Sequence, residues 1–452
     1  MDLERTLEFE EALRKIRDGK AFVFIMGKAG TGKSTLLKYF VDQCKKRIPV
    51  LAPTGVAALN VGGETIHRFF KIPPSVDLAT ARIEAENRKK SDIYRKIDSI
   101  IIDEISMVRA DLFDAMDLFL QIIRQNKKPF GGVRIIGIGD LHQLPPVVTS
   151  YDKGHFDQKY KTPYFFSSLA YQNLRTLNQI DYVELSKIYR QKDEYFIELL
   201  DAIRDRNITS EQLAKINGRI IKGEPDEDSI LLTTTNEAAD YINQKKLVEL
   251  KSKEYIFEGS IQGNFKEKDA PTEVNLSLKI GARVMCVAND LRGQYVNGSL
   301  GWVVDVVSES GGDKNVIVQL DNLVKPIKIE PYKWTMYRSK YNKRTRELMQ
   351  EEIGSFKQIP LRLAWAITIH KSQGKTFNKV TLDLGRGAFV SGQIYVALSR
   401  CRDFEGLSLI KPITLSQLKP NIEVADFFDN ILGQSKKIGY LEDQESGQLA
   451  TF

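Results

Sequence analysis

Short apolar runs alternate along the chain with longer amphipathic stretches, the pattern of α/β units laid on a mostly parallel sheet. In the first part, four such runs (21–26, 48–52, 100–102 and 133–138) each end in a cluster of polar residues. Those clusters fall just past the carboxyl ends of the predicted strands, where ligands sit in open α/β sheets. The pattern resumes after residue 180 in VELSKIYR, SILLTTTNEAADYINQKKL, LRLAWAITIHKSQGKTF and KVTLDLG, which predicts a second α/β lobe. Between roughly 257 and 356 the texture changes: VMCVA, GSLGWVVDVVS and NVIVQLD are β-branched runs punctuated by Gly, Asn and Asp. A small inserted β-barrel domain is the expectation. The implied division gives 1–70 and 97–180 to the first lobe, with a short polar insertion at 71–96. The second lobe takes 181–256 and 357–433, the β insertion 257–356 and a loose tail 434–452.

Composition changes this picture little. The 452 residues suffice for about three domains, and 42% hydrophobic with 28% charged residues is ordinary for a chain with a sizeable core. No apolar run approaches the ~20 residues that cross a bilayer. The opening MDLERTLEFEEALRKIRDGK mixes acid and base without a signal-peptide core, so a cytoplasmic protein with no membrane partner is expected. Cys44, Cys286 and Cys401 form no CxxC or zinc pattern and read as reduced and structural. A net charge of +7 is compatible with nucleic-acid binding and decides nothing alone.

The polar clusters carry the chemistry. FVFIMGKAGTGKST sets Gly27, Gly32, Lys33 and Ser34 in a GxxxxGKS frame between an apolar strand and a helical run, the context of a phosphate-binding loop. Backbone N–H groups of Ala29, Gly30, Thr31, Gly32 and Thr35 would turn inward around phosphates, aided by the positive end of the helix. Lys33 would reach the β- and γ-phosphates of ATP, and the Ser34 hydroxyl would ligate Mg²⁺. SIIIDE (99–104) is an apolar strand ending in two carboxylates, common by itself. Beside a phosphate-binding loop, Asp103 would share the Mg²⁺ and Glu104 would orient and deprotonate the attacking water. In GIGDLHQLPPV, Gln143 would stand by the γ-phosphate with Asp140 behind it; taken alone, this is equally a Pro-stiffened loop.

Eight stretches occur in order: GKAGTGKS, APTGVAA (52–58), GGETIHRFF (62–70), IIDEISMV (101–108), FGGVRIIGIGDLHQLPPV (130–147), YRQ (189–191), TIHKSQGKTF (368–377) and GQIYVALSRCR (392–402). Together they resemble a superfamily-one helicase of the B type, most of all the petite-integration-frequency (PIF) helicases, with RecD and Dda enzymes as more distant relatives. The resemblance covers about 20 to 412 and implies an α/β fold of two RecA-like lobes, only the first with a P-loop. It implies an ATP-dependent DNA helicase moving 5′-to-3′ on single-stranded DNA and opening duplexes, forks or structured DNA such as G-rich four-stranded forms. A solution monomer, a wedge at 71–96 and a clamp formed by the β insertion go with it.

The same resemblance puts Arg190 and Arg400 on the second lobe's face of the ATP site, with Gly374 beside them and Arg400 in a predicted helix. It turns Thr54, Thr65, His67, Thr234, Asn236, His370, Ser372 and Gln373 toward nucleic acid. Short hydroxyl and amide groups suit phosphate contacts, though N-capping explains Thr234 and Asn236 equally well. Phe69, Phe70 and Tyr395 are candidates for base stacking, with core packing the better expectation. The stretch 333–346 carries six basic residues and no acid, either a guide for the strand or a solvated face. One departure stands out: relatives often have an adenine-reading glutamine before the P-loop, and residues 1–20 contain none. The rival readings are an RNA helicase or protein-stripping translocase, a non-enzymatic nucleic-acid-binding subunit, and a small-molecule kinase.

Overall fold

The computed structural model describes the chain except residues 1–4, 45–47, 74–75, 149, 192, 206, 291, 309–313, 343–346, 386, 388–389, 419–420 and 432–452. The expected tail at 434–452 and the end of the basic stretch at 343–346 therefore lie outside the described residues. Among the described residues, no helix is long and apolar enough to cross a membrane.

The first lobe is a six-stranded parallel sheet of β1 (Phe22–Gly27), β2 (Val50–Ala52), β3 (Glu64–Thr65), β4 (Ser99–Asp103), β5 (Arg134–Gly139) and β6 (Ile180–Leu185), in the order β3-β2-β4-β5-β1-β6. Its strands read as continuous apolar runs because both faces are covered. Phe22, Phe24 and Met26 of β1 enter one core with the helix Ala110–Arg124, whereas Val23 and Ile25 enter another with the helices Leu7–Asp18 and Lys33–Gln43. The polar insertion forms helices Leu78–Asn87 and Asp92–Lys96. The former buries Ala81 and Ala85 in the core shared with the helix Ala110–Arg124. The insertion is thus seated on the first lobe.

The second lobe is a four-stranded parallel sheet that opens with β7 (Ile230–Thr233). The antiparallel insertion follows as β8 (Glu254–Glu258), β9 (Ser260–Gly263), β10 (Asn275–Lys279), β11 (Arg283–Cys286) and β12 (Leu300–Ser308). It continues as β13 (Lys314–Leu320), β14 (Ile327–Ile329), β15 (Tyr332–Asn342), β16 (Glu347–Gln358) and β17 (Leu361–Leu363). Five strands ordered β14-β13-β12-β11-β17 and the pair β10-β8 close around one core that includes Phe257, Leu276, Val303 and Leu361. The hairpin β15–β16 pairs with β9 and reaches the first lobe, where Gln350 Nε2 donates to the Gly62 carbonyl at 3.1 Å. The lobe then resumes with β18 (Ala366–Thr368), β19 (Val380–Asp383) and β20 (Leu407–Leu409), in the order β18-β7-β19-β20.

Three stretches lie elsewhere than their sequence suggests. The run IDYVEL, assigned to the second lobe from residue 181, is β6 and pairs in parallel with β1 of the first. The run LRL, expected in the second lobe, pairs with β11 inside the β insertion. The helical segment 422–431, also expected in the second lobe, buries Val424, Phe427 and Ile431 in the first lobe's core. Phe427 stacks on Phe166 with ring centroids 4.4 Å apart and meets Phe24, Phe165 and Tyr171 at their edges or tilted. Strand and helix periodicity report which face of an element is buried but not which neighbour buries it.

Truncating a buried aromatic leaves a cavity that its neighbours fill only in part. We expect Phe427→Ala to lower first-lobe stability by about 3 kcal/mol. The exposed neighbour change Asp426→Ala should stay within ~0.5 kcal/mol. Denaturant midpoints of the two variants check this; equal midpoints would mean the segment does not hold the lobe.

Candidate nucleotide site and nucleic-acid groove

The turn from β1 into the helix Lys33–Gln43 wraps the loop 27–34. Gly30 and Gly32 adopt φ of 86° and 85°, a left-handed conformation that glycine takes without strain. At Gly30 a side chain is also excluded by contact, since a Cβ there would lie 2.5 Å from Arg190 Cβ. Lys33 folds back over the loop, its Nζ donating to the carbonyls of Gly27 (2.7 Å) and Lys28 (2.9 Å). Burial lowers its pKa, opposed by the nearby Asp140 and Glu104 carboxylates.

Asp103 ends β4, and Glu104 follows with a left-handed φ of 51°. Burial, and then Asp103 beside it, push the Glu104 carboxyl up to about 7. Its Oε2 is buried without a hydrogen-bond partner, and burial raises Asp103 as well. Two adjacent acids whose ionised forms are costly make a place that a divalent cation would relieve. Ser34, the second residue of the helix after the loop, lines the same cleft as Glu104. Burial would also raise Asp140, but Lys33 and Arg204 more than offset it and hold that carboxyl below its ordinary value.

The second lobe supplies two guanidinium groups, Arg400 buried and Arg190 partly buried. Arg400 is 1% exposed; it donates to Val396 O and Ser399 Oγ at 2.9 and 2.8 Å, and its pKa is pushed down to about 9 by burial and by Arg190. It follows the helix Gln393–Leu398, in the turn after it rather than within it as predicted. Arg190 makes long contacts, at 3.4 Å, to the carbonyls of Ser399 and Gly374. Both line a cavity of about 530 Å³ with the phosphate loop, Glu104, Gln143 and Gly374. Two like charges held together in one cleft, bonded to carbonyls and a hydroxyl, suit an anion. Tyr189, Thr376, Asn378 and Arg402 line it too; sequence reasoning passed over them although three lie inside the quoted motifs and Asn378 directly follows one.

Contacts across the cleft hold the loop against the second lobe. Lys28 pairs with Asp201 of the helix Glu194–Asp205 at 2.6 Å, and the Ala29 N–H donates to Tyr395 Oη at 3.2 Å. Gln143 donates to Asp140 Oδ2 and accepts from Gln373 Nε2, each at 3.1 Å.

The residues expected at the nucleic acid divide. Thr54 and Thr65 cap helices, accepting from the N–H groups of Ala57 and Arg68 at 3.2 Å. Thr235, not its neighbours Thr234 and Asn236, caps the helix Asn236–Glu249, which leaves Asn236 exposed. His67 is tied through Nδ1 to the Ile72 carbonyl at 3.1 Å, and His370 is exposed. Ser372 is fully buried with its hydroxyl on the Ile369 carbonyl at 2.7 Å, and Gln373 faces Gln143. Phe69, Phe70 and Tyr395 are core residues. Of the basic stretch, Lys333, Arg338 and Lys340 are matched by Glu352 and Glu351 on β16.

A groove of about 580 Å³ runs between the lobes and the β insertion. Asn60, Asn297, Arg362, Lys371 and Lys375 line it, none of them singled out by sequence. Asn297 accepts from Lys375 and donates to Asn60 Oδ1 at 3.0 Å, linking second lobe, insertion and first lobe in one chain of hydrogen bonds. Burial, then Arg362, bring Lys375 down to about 8.

With this geometry in view, the comparisons are direct. The family model for PIF1-like helicases matches residues 5–214. The chain is 31% identical over 417 residues to the ATP-dependent DNA helicase Pif1 of Bdellovibrio bacteriovorus, covering 90% of this chain and 88% of that one. It is 34% identical to human ATP-dependent DNA helicase PIF1 over 88% of its own length and 59% of that larger protein. The structure is similar to Bacteroides sp Pif1 in complex with ADP-AlF4, with a TM-score of 0.87 and 36% identity over 96% of this chain and 98% of that one. Bacteroides Pif1 bound to ssDNA gives a TM-score of 0.66 at 35% identity, with the same coverage of 96% and 98%. The chain belongs to the PIF1-like helicase family, whose members are ATP-dependent DNA helicases built from two RecA-like lobes.

Proposed function

We propose that this chain is a motor that moves 5′-to-3′ along single-stranded DNA on Mg·ATP and separates duplex or forked DNA ahead of it. The observation that carries the reading is the cleft in which the phosphate loop of one lobe faces Arg190 and Arg400 of the other. In phosphoryl transfer, charge spreads over the γ-phosphate oxygens, and arginines presented across a mobile interface stabilise it only when the lobes are closed. Lys33 holds the β- and γ-phosphates, while the loop N–H groups from Ala29 to Thr35 surround them. Ser34 and Asp103 would hold Mg²⁺, which when bound neutralises phosphate charge. Glu104 orients the attacking water and accepts its proton. Gln143, bonded to Gln373, passes loss of the γ-phosphate to the second lobe.

Thr54, Thr65, His67, Thr234, Asn236 and His370 flank the strand, with Arg362, Lys371 and Lys375 as its phosphate contacts in the groove. Ser372 acts indirectly: its carbonyl is 3.5 Å from Arg400 Nη1, so it positions the arginine. The insertion at 71–96 serves as the wedge and the β domain as the clamp. Polarity comes from the likeness to the B-type helicases, and strand binding from the likeness to Bacteroides Pif1 bound to ssDNA.

Unwinding by the purified chain on substrates with only a 5′ or only a 3′ single-stranded tail tests the reading; 5′-tail activity is expected, and activity confined to 3′ tails overturns it. Arg400→Ala should cut DNA-stimulated ATP turnover by about a thousandfold. Nucleotide binding, followed by fluorescence titration, should fall far less; equal losses would place Arg400 in ground-state binding. The sign of the pH dependence follows from Lys375, charged below about 8 and neutral above. A strand phosphate raises that pKa in the complex, so affinity should fall with rising pH above about 8, by at most about tenfold per unit. Lys375→Arg, charged throughout, should give a flatter profile from about pH 7 to about 9.

A further inference from the structure

Away from both the nucleotide cleft and the groove, a third cavity of about 400 Å³ opens where the polar insertion meets the hairpin β15–β16. Six cations line it, drawn from three parts of the chain: Arg68 and Lys71 at the first lobe's edge, Arg88 and Lys90 from the insertion, Arg338 and Lys340 from the hairpin. Only Glu64 and Asp92 line it as acids among the described residues. The other counter-charges sit behind the wall. Asp269 pairs with Arg68 at 3.7 Å, Glu84 with Arg88, and Glu351 with Arg338 and Lys340 at 2.9 and 3.3 Å. None of those three carboxylates lines the cavity.

The crowding is felt locally. Lys71, in a left-handed turn at φ 59°, has its pKa lowered by burial and further by Arg338, Arg68 and Arg88, with Glu64 opposing. These arginines come from both sides of the seam, so closing it brings like charges together. An excess of six cations over two acids around one cavity favours an ion of the opposite sign within it. Arginines and lysines with exposed ends around an open cavity suit phosphate, through paired N–H donors and point charges. Arg338 and Lys340 keep 47% and 65% of their side chains exposed, so their free donors remain available.

We propose that this seam is a second nucleic-acid contact: Arg68, Lys71, Arg88, Lys90, Arg338 and Lys340 grip a phosphodiester phosphate between the insertion and the β-domain hairpin. The inference rests on the nucleic-acid reading above and adds a site outside the groove. The phosphate can belong to the tracking strand as it leaves the groove or to the duplex arm of a fork; the chemistry is the same. Holding it ties closure of the seam to the presence of DNA. The contact is to the backbone, so it carries no sequence preference.

The test is the salt dependence of binding by fluorescence anisotropy, with a labelled single strand in one arm and a forked duplex in the other. Each phosphate contact adds about 0.7 to 0.9 to the slope of log affinity against log salt. Lys90→Gln with Arg338→Gln should lower the slope by about one, whereas Lys90→Arg with Arg338→Lys should keep it. Loss in both arms assigns the phosphate to the tracking strand, and loss in the fork arm alone assigns it to the duplex. An unchanged slope in both arms overturns the proposal. Each single Gln change carries the same test from one side of the seam should the double variant fold poorly. Failure of the unaltered chain to bind either substrate would instead overturn the nucleic-acid reading itself.

Discussion

Arg190 and Arg400 are cations in a cleft that offers them carbonyls and a hydroxyl as partners. That condition governs the rest of the molecule. A desolvated guanidinium is costly until a negative charge arrives, and on the function proposed above that charge is a triphosphate held by the opposite lobe's loop. On that proposal the two halves of the chain would share one ligand, and its chemistry would change how firmly they hold each other. Around that point the fold places rigid pieces: a sheet buried on both faces under the loop, and a short turn after the helix Gln393–Leu398 to aim Arg400.

The contacts beside the shared ligand make the coupling mechanical. Lys28 to Asp201, Ala29 to Tyr395 and Gln143 to Gln373 each join a residue within or near the phosphate-binding face to the second lobe. On the proposed function, a shift of the loop on phosphate loss would be felt along these three hydrogen bonds. On the far side, Asn60, Asn297 and Lys375 form a hydrogen-bonded chain along the groove that joins all three modules.

How much of this was legible in the sequence follows from what each feature depends on. The phosphate loop is written locally, because glycines at fixed spacing between a strand and a helix dictate the backbone path. Asp103 and Glu104 are legible only beside it. Arg190 and Arg400 needed the whole set of motifs, since an isolated arginine carries no sign of burial. Arg362 escaped notice for the same reason, and Lys375, though inside TIHKSQGKTF, carries no sequence sign of facing the groove. The apolar spacing of Val424, Phe427 and Ile431 marks a one-sided helix, but its destination is a matter of chain path. Ser372 and Gln373 show the converse: they sit in a motif, yet one hydroxyl is spent on a local carbonyl and the amide turns to Gln143. The basic stretch shows it too, its charge matched by a neighbouring strand that lies just downstream.

The segment 422–431 has a geometric corollary. After leaving β6 the chain crosses into the second lobe, and past β20 it crosses back to anchor Phe427 among the aromatic rings of the first. Two bodies tied by a strap at two separate places are no longer free to drift or twist in any direction; the easiest remaining freedom is a swing about the line through the two ties. On the proposed motor function, a stroke made this way would return along its own arc, as an engine needs if every cycle is to advance the track by the same step.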